Sequence, residues 1–302
     1  VRHYSEDSIA GPLDVLEGDS VRIAVLRHGA EMVSLQARDA SGGWRSFLYR
    51  NGEVHKPAEG WGNHATLMGY FLHRLVDERS TYRGHEIHAG NHGFLRHFNF
   101  AAPAFDEDSL VYSVPANEVP PEAYPFPVGP KIAYRFTGPK LSINFRFTNE
   151  MADKPAHVSF GLHPGFGVSS IDSFCLNFPA GKYVRHFAPG NFLDGRTEVI
   201  DHPGGECPFP RGELPGSFLI ELSQVPEPIF TLEDSGRRVR LDFSGVPYMT
   251  LWSDLGPFIC VEPCWGLPDH LPPRPFDEKL GIQVIPAGGT LEAGLSLTAE
   301  CL

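Results

Sequence analysis

Three segments far apart in the chain each hold an ionisable side chain beside a residue that restricts or frees the backbone. They are His92-Gly93-Phe94 in NHGFLRHF, His163-Pro164 in SFGLHPGF and Glu262-Pro263 in PFICVEPCWG. Two imidazoles and a carboxylate are the parts needed to move protons near neutral pH. A residue before proline is pushed to extended geometry, so His163 and Glu262 are expected at strand ends with their side chains aimed. Glu262 lies in an otherwise apolar run, Pro257 to Trp265, where a lone charge is costly and calls for a partner or a function.

The elements that must position these residues are strands. Ile132, Tyr134 and Phe136 alternate with other residues, Gly138-Pro139 turns the chain, and Leu141, Ile143, Phe145 and Phe147 resume the alternation. Phe230 and Leu232, a turn at Asp234-Ser235-Gly236, then Val239, Leu241 and Phe243 make a second hairpin. Val21, Ile23 and Val25 alternate near the start, and Leu291 to Ala299 near the end. No uninterrupted helical period runs beyond about three turns, the usual helix length. The chain is therefore expected to be all-β, with antiparallel sheets packed face to face. No composition shift marks a boundary, so residues 1–302 are expected to form a single domain. Gly190 to Pro215, rich in Gly and Pro, is expected to be a long surface loop.

Composition narrows the function. A net charge of -12 repels phosphate backbones and argues against a nucleic-acid partner. No apolar run is long enough to span a bilayer, and VRHYSEDSIAGPLD has no apolar leader. Five cysteines without paired spacing suit a reducing compartment, so a cytoplasmic location is expected. His85, His88, His92 and His97 invite a metal reading. On a strand, however, His85 and His88 would face opposite sides, and the glycines break any helical face, so no metal site is expected.

Six segments, in order, resemble the aldose 1-epimerase (galactose mutarotase) family. They are HGAEMVSLQARD, FLHRLVDERSTYRGHEIHAGNHGFLRHFNF, YPFPVGPKIAYRFTGPKLSINFRFTNE, SFGLHPGF, MTLWSDLGPFICVEPCWGLPD and GIQVIPAGGTLEAGLSL. The resemblance implies that family's β-supersandwich, with a monosaccharide as substrate and no cofactor. It implies Glu262 as general base, His163 as general acid, His92 as a second active-site histidine and Arg74 as a sugar-binding arginine. The aspartate that holds sugar hydroxyls in the family falls near Ser217, where no acid is present. The aromatic after His-Pro is Gly165 here, and the one after Glu-Pro is Cys264, followed by Trp265. Phe94, Phe166 and Trp265 are expected to offer apolar platforms to the sugar. The acid and base are expected to flank the pyranose from opposite sides. Two other functions fit the resemblance: a hexose-6-phosphate 1-epimerase, with Arg74, Arg79, Arg83 and Arg96 as phosphate ligands, and a sugar-binding protein without catalysis.

Overall fold

Alternating apolar residues force strands with one face buried, and the computed structural model, which describes residues 1–302 apart from positions 56 and 58, is built from antiparallel strands throughout. Among the described residues the strands form a thirteen-stranded sheet, a nine-stranded sheet and a two-stranded ribbon. Both predicted hairpins are present. Val128–Thr137 pairs with Lys140–Asn149, and Ile229–Asp234 pairs with Arg237–Asp242, all in the smaller sheet. The closing strand, Thr290–Cys301, lies between these two hairpins.

The centre of the larger sheet runs in the order Ala65–Tyr70, Ala156–Gly167, Phe258–Trp265, Tyr248–Trp252, Phe218–Gln224. One hydrophobic cluster joins its inner face to the smaller sheet. Phe160 and Trp265 stack at 5.0 Å, and Phe145 from the smaller sheet meets them at 5.2 and 5.6 Å. Tyr134 and Tyr70 each donate a hydrogen bond across this interior, to the carbonyls of Ala30 and Val128. The inner face is thus filled, and polar side chains on the central strands are left to the other face.

The segment Gly190 to Pro215 is not all loop. Thr197–His202 is a strand paired with Gly181–His186. Its side chains are mostly exposed, so it carries little of the apolar alternation that reveals a strand in sequence. No helix among the described residues is long and apolar enough to cross a membrane.

Candidate active site

His163 and Glu262 lie within strands rather than at their ends, in Ala156–Gly167 and Phe258–Trp265. These strands pair through Gly161↔Cys264 and Gly165↔Cys260. Stepping two residues inward from either pair sets His163 directly opposite Glu262. The ladder is interrupted between those pairs, in the stretch that holds both Pro164 and Pro263, neither of which has an N–H to give. Strand continuity is kept from the outer sides, where His163↔Thr66 and Glu262↔Thr250 remain in register.

His163 Nε2 and Glu262 Oε1 are 3.4 Å apart, with side chains 10% and 1% exposed. They stand side by side on the floor of one cavity instead of on opposite walls. That arrangement suits a hemiacetal, whose ring oxygen and anomeric hydroxyl are bonded to the same carbon. Among the described residues, His163 Nδ1 and Glu262 Oε2 have no hydrogen-bond partner. Burial drives both groups toward neutrality: the Glu262 carboxyl is pushed well above its usual range, and His163 down to about 3, with the Arg96 and His73 charges adding to the effect. Both shifts disfavour a resting carboxylate–imidazolium pair, natural for exposed residues with reference values near 4.3 and 6.5, and favour a carboxylic acid beside a neutral imidazole.

His92 reaches the same cavity from a tight loop. Its backbone has φ 65°, and its main chain bonds to His73 O and Gly69 N. Gly93 must be glycine there. A Cβ would meet Gly69 O at 2.3 Å, and φ is +74°. His92 Nδ1 accepts from the His73 N–H at 3.2 Å, which places its proton on Nε2. Its ring stands edge-on to His163 at 5.3 Å. Burial again holds His92 well below the ordinary histidine range, chiefly by desolvation.

The cavity, of about 310 Å³, is lined by all four polar residues expected from the sequence, Arg74, His92, His163 and Glu262. Phe166 and Trp265, expected from the sequence as sugar platforms, do not line it. They are 1% and 3% exposed and belong to the hydrophobic core. The cause is strand parity: residues an odd number of positions apart on a strand face opposite ways. Phe166 is three from His163, and Trp265 three from Glu262. Phe94 also packs against the core, edge-on to Tyr70.

The aromatic walls are instead Trp61 and Trp252. Trp252 sits two residues from Thr250 on the neighbouring strand and so shares the Glu262 face. Trp61 stacks on His163 at 5.2 Å and on Phe258 at 5.0 Å. Its indole occupies the notch left by Gly165, where a Cβ would lie 2.1 Å from Trp61 Cζ3. With the Asn63 amide oxygen turned toward its donors, it accepts from Trp61 Nε1 and Arg96 Nη2, each at 3.2 Å. Gly165→Ala is accordingly expected to displace the indole, loosen His163 and lower activity by about tenfold or more, as misplacing a catalytic group by about an ångström can cost up to 10²-fold. Loss of activity together with a shift in tryptophan emission checks this. Unchanged emission and rate would contradict the packing argument.

Of the four candidate phosphate arginines, Arg74 and Arg96 line the cavity. Arg79 instead lies 4.0 Å from Asp77, and Arg83 covers the Tyr82 ring. Ser217, at φ 60°, lines the cavity where the resemblance places an aspartate. Glu262 is the only carboxylate among the described lining residues. In the four-histidine segment, His85 packs edge-on against Phe126 and His88 meets Glu86 at 3.2 Å, while His92 enters the cavity.

A fold of stacked antiparallel sheets of this kind is matched by known proteins. The aldose 1-epimerase family profile matches residues 15–298, and the chain belongs to that family. The plasmid-encoded protein LacX of Lactococcus lactis subsp. lactis is 24% identical over 233 residues, covering 70% of this chain and 77% of LacX. A galactose mutarotase related enzyme from Lactobacillus acidophilus superposes with a TM-score of 0.84 at 22% identity, covering 99% of this chain and 97% of the other. A galactose mutarotase-like protein from Lactobacillus casei gives 0.80 at 24% identity, covering 95% and 100%. The galactose mutarotase-like fold expected from the sequence is the one observed.

Proposed function

We propose that this protein is an aldose 1-epimerase, exchanging the α and β anomers of a free monosaccharide by opening and reclosing its ring. The observation that carries this reading is the His163–Glu262 pair, 3.4 Å apart in one cavity. Ring opening needs one group to take the anomeric hydroxyl proton and another to protonate the ring oxygen. Closure on the other carbonyl face uses the same groups in reverse. The pair holds one movable proton, on Glu262 at rest. Its transfer to His163 leaves the pair's net charge unchanged and readies Glu262 as base and His163 as acid. His92, with its proton on Nε2, and Arg74 are donors suited to sugar hydroxyls. Polarimetry of freshly dissolved aldoses with and without protein tests the reading. Acceleration of none of them would remove it.

The pH profile follows from the same pair. Adding a second proton makes His163 cationic while Glu262 stays protonated, which leaves no base. With His163 held at about 3, that loss falls far below the ordinary histidine range. Removing the carboxyl proton leaves no acid, and burial moves that step upward. The catalysed kcat/KM, corrected for buffer catalysis, is expected to show no histidine inflection near pH ~6.5. A clear step there would contradict the neutral pair.

A second reading keeps the chemistry but changes the sugar. Arg74 and Arg96 both face the cavity, and no carboxylate other than Glu262 does so among the described lining residues, which favours a phosphorylated aldose. Rates on glucose and glucose 6-phosphate, measured side by side, separate the two. A sugar-binding protein without catalysis would bind sugar by calorimetry and accelerate neither.

A further inference from the structure

Cys260 precedes Glu262 by two residues on the same strand, so its thiol shares the face that carries the acid–base pair. It lies opposite Gly165, the residue two along from His163 on the adjoining strand. One donor atom from each of His163, Cys260 and Glu262 falls within 4.8 Å of the other two. All three side chains are buried, and Cys260 forms no disulfide. Among the described residues neither Glu262 Oε2 nor His163 Nδ1 has a partner, and Glu262 and His163 both open onto the cavity.

We propose that His163, Cys260 and Glu262 form a binding site for a borderline-soft divalent cation of the zinc class, and that an ion bound there blocks the acid–base pair. One imidazole nitrogen, one thiolate and one carboxylate are the donor types such an ion takes, and three protein ligands leave a fourth position open toward the cavity. Bonds of about 2.0–2.3 Å hold tetrahedral ligands ~3.5 Å apart, so closure requires side-chain shifts of about 1 Å. Charge also balances. The ion binds as the Cys260 thiol and the Glu262 carboxyl each release a proton to solvent, while His163 offers a neutral lone pair. Two anionic ligands neutralise the dication, so no net charge is left buried. The bound ion occupies the His163 lone pair and the Glu262 oxygen that proton exchange requires. The blocking half of this inference rests on the anomer-exchange reading, whereas the binding half does not.

The test is titration of the metal-free protein with Zn²⁺ by calorimetry in two buffers of different ionisation enthalpy, and with Co²⁺ by absorption. The expected result is one ion per chain, release of two protons and a thiolate-to-cobalt charge-transfer band. Cys260→Ala, with Cys260→Ser as a variant of similar size, should abolish the band. Each should weaken Zn²⁺ by more than the roughly 10–100-fold typical of losing a mere supporting group. Anomer exchange measured without metal should persist in both variants, with zinc inhibition lost. Absence of stoichiometric binding, or equal binding by wild type and both variants, would overturn the site. Binding as described but without inhibition would overturn only the blocking role.

Discussion

Glu262→Gln is expected to lower the catalysed rate of anomer exchange by about 10²–10⁴-fold, the usual worth of one positioned acid–base group, while leaving the fold intact. The two halves of this expectation have one cause. Among the described residues no cation lies against the buried Glu262, and burial drives its carboxyl toward the neutral form. An amide of the same shape replaces that neutral group without stranding a charge. Stability should therefore stay within about 1 kcal/mol, whereas removing a paired buried charge costs several. Chemistry is a different matter, because an amide can donate a hydrogen bond but cannot give up and regain a proton. His163→Asn removes the other half of the pair and should cost a similar factor. The double variant should be scarcely slower than either single one, since the groups act as a unit. Independent multiplication of the two losses would indicate that they serve separate steps.

Lys279→Met is expected to destabilise the protein by about 3–5 kcal/mol, the cost of breaking a buried ion pair from one side. Lys279 Nζ lies 2.7 Å from Asp269 Oδ1, with side chains 1% and 0% exposed. The Asp269 carboxylate also accepts from the backbone N–H groups of Val76, His270 and Arg274, and Lys279 donates to the Arg274 carbonyl. The main chain of Asp269 bonds to Arg74 O and Leu193 N. The pair therefore ties together the segments that carry Arg74 and Pro268 to the cavity. A higher KM should accompany the stability loss. Replacing both partners, as Asp269→Leu with Lys279→Met, should recover part of the stability, because no lone charge remains, but not the KM, because the carboxylate's bonds to the Val76, His270 and Arg274 N–H groups are gone. Urea midpoints of the two variants check the first point. A single variant as stable as wild type would show that the pair contributes nothing.

Much of this architecture was visible in the residue pattern because its signals are local. The hairpin around Gly138-Pro139 and the one around Asp234-Ser235-Gly236 announce themselves by alternation and turn chemistry. His92, His163 and Glu262 stand out because each has a neighbour that constrains the backbone. What failed was what depends on strand parity and register. Phe166 and Trp265 are close in sequence to catalytic candidates but face the core. Their odd spacing from His163 and Glu262 could have shown this had the strands been taken to continue through the prolines. Trp252 reaches the cavity by pairing across strands, which one sequence does not specify. Trp61 comes from a segment without periodicity, and what makes room for it is the missing side chain of Gly165, far away in the sequence. Neutralisation of the pair was equally hidden, since it reflects burial produced by distant strands.

On the proposed mechanism, one buried carboxyl and one imidazole, facing each other across adjacent strands, exchange anomers of a sugar. Two-dimensional NMR exchange at anomeric equilibrium, on free and phosphorylated aldoses, measures that interconversion directly. Exchange cross-peaks are expected with wild-type protein at catalytic concentration for at least one of these sugars, and their loss with both His163→Asn and Glu262→Gln. No cross-peaks with wild type for any of them, or cross-peaks that persist in both variants, would contradict it.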